Sequence, residues 1–203
     1  MLPAFDLPLT LAFPIALAAY LLGSVPFGMV IARIMGLGNL RDIGSGNIGA
    51  TNVLRTGNKL AAFLTLLFDA GKGGVSVLIA GAIYGETAAQ LAGLCAFLGH
   101  LFPIWLRFKG GKGVATFFGI LLTLNFIAGF AACMTWLAGA AILRISSAAA
   151  LVSVAAAPIW LAILGTQQAV GLAVFLAAMV WIKHHSNIRR IFNRTEPKIG
   201  AGK

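Results

Sequence analysis

Long apolar runs broken by short polar segments organise this chain. Runs near 9–34, 60–84, 87–106, 113–125, 127–144, 147–164 and 168–183 are each read as a helix crossing a bilayer, which takes roughly 20 apolar residues. The fourth and fifth runs are the close pair. Together, 113–144 covers about 32 residues, enough at about 1.5 Å per residue for one long tilted helix or for two short ones turning at Asn125. Parity favours two, because a single helix would place either Arg144 or the basic C-terminal segment on the opposite face from the other basic clusters.

The Lys and Arg residues fall in a few clusters, Arg33 to Lys59, Lys72, Arg107 to Lys112, Arg144 and Lys183 to Lys203, separated by stretches with none. The positive-inside rule puts these clusters on the cytoplasmic side. The connections near Asp6, Gly85-Glu86, Asn125 and Gly165-Thr166-Gln167-Gln168 then lie outside, with the N-terminus outside and the C-terminus inside. The expected architecture is an all-α integral membrane protein, a polytopic bundle of about seven transmembrane helices.

Composition agrees. The 203 residues are 60% hydrophobic and 10% charged, with mean hydropathy +0.95, whereas soluble domains carry about 25% charged residues. Such a chain holds one membrane domain, 1–203, with cytoplasmic segments near 36–59, 107–113 and 183–203. The first run is too long for a signal-peptide core and is read as a retained helix. A net charge of +10 could suggest nucleic acid, but the cations sit beside apolar runs, where topology and anionic substrates explain them better. Cys95 and Cys133 lie inside apolar runs and have neither metal-ligand spacing nor a disulfide framework.

Candidate chemistry is confined to the basic segments. The first combines Gly44, Gly46 and Gly49 with Ser45, Asn47, Thr51, Asn52, Arg41 and Arg55, so that turned backbone amides, hydroxyls and guanidinium groups converge on an anion; its plain alternative is a flexible linker. It lacks P-loop spacing, so nucleotide hydrolysis is not implied. The second, Arg107-Phe108-Lys109-Gly110-Gly111-Lys112-Gly113 followed by Thr116, sets two lysines in a glycine turn at the start of a helix, whose free amides add attraction; His100, just upstream, could equally belong to this site or be a structural histidine at the interface, and is not counted as catalytic. The third, Lys183-His184-His185-Ser186-Asn187-Ile188-Arg189-Arg190, offers a general base or a donor to phosphate. Adjacent histidines point apart on a helix and few carboxylates accompany them, so no metal is expected. Within the second run, Asp69 and Lys72 face the protein interior because lipid exposure would be costly. They are read either as mutually neutralising or as a pair from which Lys72 extends to a phosphate while Asp69 orients it. Arg144 with Ser146 and Ser147 could complete a ring of anion ligands.

At these residues the chain resembles the bacterial acyl-phosphate-dependent glycerol-3-phosphate acyltransferase family, PlsY. Three blocks carry the resemblance: Gly44 to Arg55; Gly99-His100-Leu101-Phe102-Pro103 with Phe108 to Thr116; and His184 to Arg190 with Glu196. Gly23-Ser24-Val25-Pro26-Phe27-Gly28 and the Asp69 to Gly73 element extend it over nearly the whole chain. The resemblance implies a bacterial inner-membrane enzyme, its site facing the cytoplasm, that moves an acyl group from acyl phosphate, and not from acyl-CoA or acyl carrier protein, to the 1-hydroxyl of glycerol 3-phosphate. It implies membrane lipid as surroundings, no cofactor and no obligate protein partner. His184, Lys112 and Arg55 are the expected catalytic residues. Ser45, Gly46, Asn47, Gly49, Thr51, Asn52, Lys72, Lys109, Gly110, Gly111, Gly113, Arg144, Ser147 and Asn187 are expected to bind phosphate, with Asp69 and Glu196 in support. Where the family commonly has Thr-Arg-Tyr-Val-Ser, this chain reads Leu143-Arg144-Ile145-Ser146-Ser147, a local departure around Arg144 and Ser147. The rival reading, a transporter of a phosphorylated metabolite, needs anion ligands along a whole path, and Glu86 is the only charge between Lys72 and Arg107.

Overall fold

The structure, a computed structural model, describes residues 7–164 and 167–200; the expectations placed on Asp6, Gly165-Thr166 and Lys203 lie outside them. Among the described residues it is all helical. Ten α-helices follow in order: α1 (Leu9–Ser24), α2 (Phe27–Ile34), α3 (Ala50–Leu54), α4 (Lys59–Tyr84), α5 (Glu86–Leu101), α6 (Val114–Leu124), α7 (Phe126–Leu143), α8 (Ser146–Ile163), α9 (Val170–Lys183) and α10 (His185–Phe192).

Polar residues set the breaks. Pro26 cannot supply an amide to the helix ladder, so the first apolar run divides at Val25–Pro26 into α1 and α2. The Val25 carbonyl, out of the helix ladder there, accepts the Phe27 amide at 3.1 Å and the ammonium of Lys72 at 2.8 Å, the compensation that a backbone break inside a membrane requires. Asn125 ends α6 and caps α7, its side chain accepting from the Ala128 amide at 2.9 Å. The 113–144 run is therefore two helices, as parity required.

Five apolar helical stretches are long enough to cross a membrane: Leu9–Ile34, Lys59–Tyr84, Glu86–Leu106, Phe126–Leu143 and Ser146–Ile163. A sixth is reached when Gln167–Lys183 is joined to His185–Phe192, which leaves it at a bend of 62°. The remaining run is short, as its expected bounds of 113–125 implied: α6 has 11 residues, about 16 Å of helix against a hydrocarbon core of about 30 Å.

Small residues let the helices approach closely. A methyl group added at Gly23 would overlap the Ala96 backbone, and one at Gly119 the Ala70 backbone. Phe97, Phe117, Ile120, Leu121, Val154, Leu161 and Leu176 fill the middle, while Leu78, Ile142, Ile159 and Ile182 are exposed on the outside, where lipid replaces water. This is an integral membrane protein. The segment before α3, the α5–α6 connection, the α7–α8 turn and the chain after α9 meet at one end. Contacts that join them include Arg41 to the Lys109 carbonyl, Thr51 to Ser146, Lys112 to Asn187, and the Ile199 amide to the Arg144 carbonyl.

Candidate active site

The first loop is folded around Asn52. This side chain is buried; its amide nitrogen donates to the carbonyls of Leu40 at 3.0 Å and Asn47 at 2.7 Å, and its oxygen accepts from the amide of Ser45 at 3.0 Å and the Ser45 hydroxyl at 3.3 Å. Both amide hydrogens are thus used within the loop. Asn52, expected to bind phosphate, instead shapes the loop from below, because its buried position leaves no donor directed outward. Ser45 and Thr51 are exposed above it, with Thr51 Oγ1 3.3 Å from Ser146 Oγ. Gly44 sits at φ +54°, and a Cβ there would collide with Arg55 and Asn52, so the glycine lets the guanidinium of Arg55 lie against the loop. Arg41 reaches from this loop to the Gly46 carbonyl at 3.3 Å and to the Lys109 carbonyl in the second loop.

The second loop turns back onto the end of α5. The amides of Gly110 and Gly111 donate to the carbonyls of Leu101 and His100 at 3.2 and 3.1 Å. Gly113, at φ +85°, precedes α6 with its α-carbon against Phe97. Lys109 points into the open, whereas Lys112 is half-buried and donates to Asn187 Oδ1.

Asn187 belongs to the third segment, where Glu196 gathers the contacts. Glu196 Oε1 accepts from Ser147 Oγ at 2.7 Å and from Asn187 Nδ2; Oε2 accepts from Arg190 Nε at 2.6 Å. Partial burial works against the charge of Glu196, but these three donors and the Arg190 charge prevail and hold its carboxyl below the usual carboxylate range. Ser147, expected on phosphate, donates to this carboxylate instead. His184 stands at the α9–α10 bend, buried, with Nδ1 2.8 Å from the Val180 carbonyl. A carbonyl only accepts, so Nδ1 carries the hydrogen and Nε2 keeps its lone pair.

Electrostatics mark this cluster as a place for anions. Burial, Arg190 and Arg55 push the Lys112 ammonium down to about 8, with Glu196 only partly offsetting them. Lys112 thus feels two guanidinium groups against one carboxylate, and a phosphate would relieve that repulsion. Arg144 lies at the rim, exposed and left-handed at φ +55°.

Lys72 does not join the cluster. It is buried at α4, 2.9 Å from Asp69 Oδ1 and bonded to the Val25 carbonyl; the expected reach toward a phosphate is corrected, since the break at Pro26 claims its ammonium. Two residues named in the motif segments were given no role of their own from the sequence, Arg41 as the tie between loops and Arg190 as the guanidinium on Glu196. Both lie inside the motif segments, but spacing could not tell which of several arginines turns inward.

Fold and site together define an integral membrane protein, all helical among the described residues, with a cation-rich cluster at one end. The chain belongs to the glycerol-3-phosphate acyltransferase family, whose profile matches residues 13–194. It is 57% identical over 199 residues to a glycerol-3-phosphate acyltransferase of Cereibacter sphaeroides, covering 98% of this chain and 95% of the relative. A protein of the same name from Roseobacter denitrificans is 63% identical over 185 residues, covering 91% and 92%. Among solved structures it is similar to PlsY (YgiH), an integral membrane glycerol 3-phosphate acyltransferase, in its glycerol 3-phosphate form, with TM-score 0.89 and 34% identity over 93% of this chain and 96% of that one. The lysophosphatidic acid form of PlsY gives TM-score 0.86 and 33% identity over 92% and 94%.

Proposed function

We propose that this protein transfers a fatty acyl group from acyl phosphate to the 1-hydroxyl of glycerol 3-phosphate, yielding lysophosphatidic acid and phosphate, at the cytoplasmic face of a bacterial inner membrane. The observation that carries this reading is Lys112, bonded to Asn187 and set among the charges of Arg190, Arg55 and a single carboxylate, Glu196. Its relatives' names and the glycerol 3-phosphate and lysophosphatidic acid forms of PlsY support the acceptor and the product. Acyl phosphate is a mixed anhydride with a good leaving group, so no enzyme nucleophile is required. The hydroxyl oxygen attacks the acyl carbon, and the bond from that carbon to the phosphate oxygen breaks.

Each substrate brings a phosphate, and the site offers two groups of donors. Ser45, Thr51 and the backbone of Asn47 and Gly49, in a loop turned at Gly46, form one; Lys109, Lys112, Arg55 and Asn187, carried beside the turn that Gly110, Gly111 and Gly113 shape, form the other. Holding both phosphates at once turns a bimolecular transfer into an oriented one. His184 Nε2 is the acceptor for the hydroxyl proton.

The direct test offers glycerol 3-phosphate to purified protein with acyl phosphate, acyl-CoA or acyl carrier protein as sole donor. Lysophosphatidic acid is expected from acyl phosphate; product only from a thioester would place the enzyme in another acyltransferase class. For the proton, His184→Gln is expected to lower turnover by roughly 10² to 10⁴ with KM values kept. A loss below about tenfold would assign the proton to a substrate phosphate oxygen instead.

A further inference from the structure

The second loop is gripped at its base by a residue that never reaches the site. Asp69, buried in α4, faces His100 Nδ1 at 3.7 Å with its carboxylate and accepts the Thr116 hydroxyl at 2.9 Å with its backbone carbonyl. His100 is the next-to-last residue of α5, and Thr116 stands in the first turn of α6. The connection that carries Lys109 and Lys112 is thus bonded at its far end to Asp69 on a third helix and lies against the same residue at its near end.

His100 is the more direct of the two contacts. Its ring is 4% exposed, and the α-carbon of Gly111 lies on it, so a Cβ at Gly111 would occupy the place of Nε2. Its carbonyl accepts the Gly111 amide, and a Cβ at Gly110 would strike that same carbonyl. Ring and main chain together hold the glycine pair flat against the end of α5. Asp69 is itself fixed by Lys72 at 2.9 Å, and Lys72 by Val25.

We infer that His100, packed beside Asp69, is a positioning residue that sets the Gly110–Gly111 turn and thereby the reach of Lys112 into the site. The inference rests on the phosphate-binding role proposed above for that loop. A loop ordered before the substrate arrives loses less freedom on binding, so the effect falls on the affinity for whichever phosphate Lys112 holds.

Two measurements on His100→Leu and His100→Gln test this. In steady-state kinetics, His100→Leu is expected to raise the KM for one substrate about tenfold with kcat little changed, and it should be the substrate whose KM also rises in Lys112→Ala. The double variant should lose less than the sum of the two, as residues acting through one segment do. His100→Gln, which restores a polar group toward Gly111, should recover part of the loss and serves as the comparison where the leucine variant does not fold. In the second measurement, trypsin should cut at Arg107, Lys109 or Lys112 faster in His100→Leu than in the wild type. Unchanged KM values and unchanged cutting would overturn the inference, as would equal rises in both KM values accompanied by early unfolding. A wild-type protein that makes no product from any donor would instead overturn the functional reading, and the cutting rates would still decide whether His100 holds the loop.

Discussion

The molecule contains two clusters of ionised residues that resemble each other in composition and differ in charge balance. Asp69, Lys72 and His100 lie buried between α4 and α5, where the carboxylate and the ammonium answer each other at 2.9 Å and a backbone carbonyl takes what remains. At the loops, Lys112 lies under the charges of Arg190, Arg55 and Glu196, and that carboxylate is already shared by Ser147, Asn187 and Arg190. The first cluster is closed and has no charge to offer. The second keeps a positive surplus against an opening, which is the condition for an anionic substrate. Balance separates architecture from site here more clearly than residue type does, since both clusters contain a lysine, a carboxylate and a neighbouring histidine.

The sharpest way to break this contrast is to unbalance the closed cluster. Asp69→Leu leaves a buried ammonium without its counter-charge, for which the usual cost is about 3–5 kcal/mol. Thermal unfolding in detergent is expected to fall accordingly and to recover in Asp69→Leu/Lys72→Met, which removes both charges. A single variant as stable as the wild type would mean that the pair is not an ion pair in the membrane.

The same operation in the open cluster should leave folding alone. Lys112→Met removes one charge-assisted bond to phosphate, worth about 1.5–3 kcal/mol, so kcat/KM should fall by roughly ten- to a hundredfold while the unfolding temperature holds. Removing one of three mutually repelling cations could even stabilise the apoprotein. Loss of folded protein on this substitution would erase the distinction between the two clusters.

Acidity gives a third, subtler separation. Lys112 is held down to about 8 by burial, Arg190 and Arg55, and only its protonated form carries charge to the phosphate. At subsaturating substrate, kcat/KM is expected to be level below about pH 8 and to fall above it. Stability should move in the opposite direction: between the folded value and the ordinary lysine value near 10.4 the unfolded chain binds more protons, so this group makes stability rise with pH there. Lys112→Met should remove both trends. Parallel loss of activity and stability above pH 8 would assign the break to another group.

Much of this was legible in the chain. Apolar runs separated by basic clusters marked the helices and the end where the loops meet, and the charge parity that divided 113–144 at Asn125 corresponds to a cap the structure shows. The hidden part concerned partners. Lys72 stands beside glycines much as Lys112 does, and only the break at Val25–Pro26, 47 residues away, decides that its ammonium stays inside. Asn52 and Ser147 have the right chemistry for phosphate but are spent on Ser45, Leu40, Asn47 and Glu196, contacts that local spacing cannot anticipate. The tie from Arg41 to Lys109 spans 68 residues and depends on how two loops fold over each other. Residue type shows what a side chain can bind; the fold decides whether a protein group has already claimed it.

Arg144 tests that rule at its smallest effect. The resemblance places it among the phosphate ligands, yet its backbone is left-handed at φ +55° as the C-cap of α7, and its carbonyl accepts the Ile199 amide. Glycine adopts that conformation freely, so Arg144→Gly relieves backbone strain and should leave stability unchanged or raise it by up to about 1 kcal/mol. If Arg144 is only the cap that turns α7 into α8, kinetics will not move. If its guanidinium swings from the rim onto a phosphate, the KM of one substrate will rise while the protein becomes no less stable. Opposite signs in stability and affinity from a single substitution would extend the open cluster by one cation, to a residue that makes no contact with Glu196.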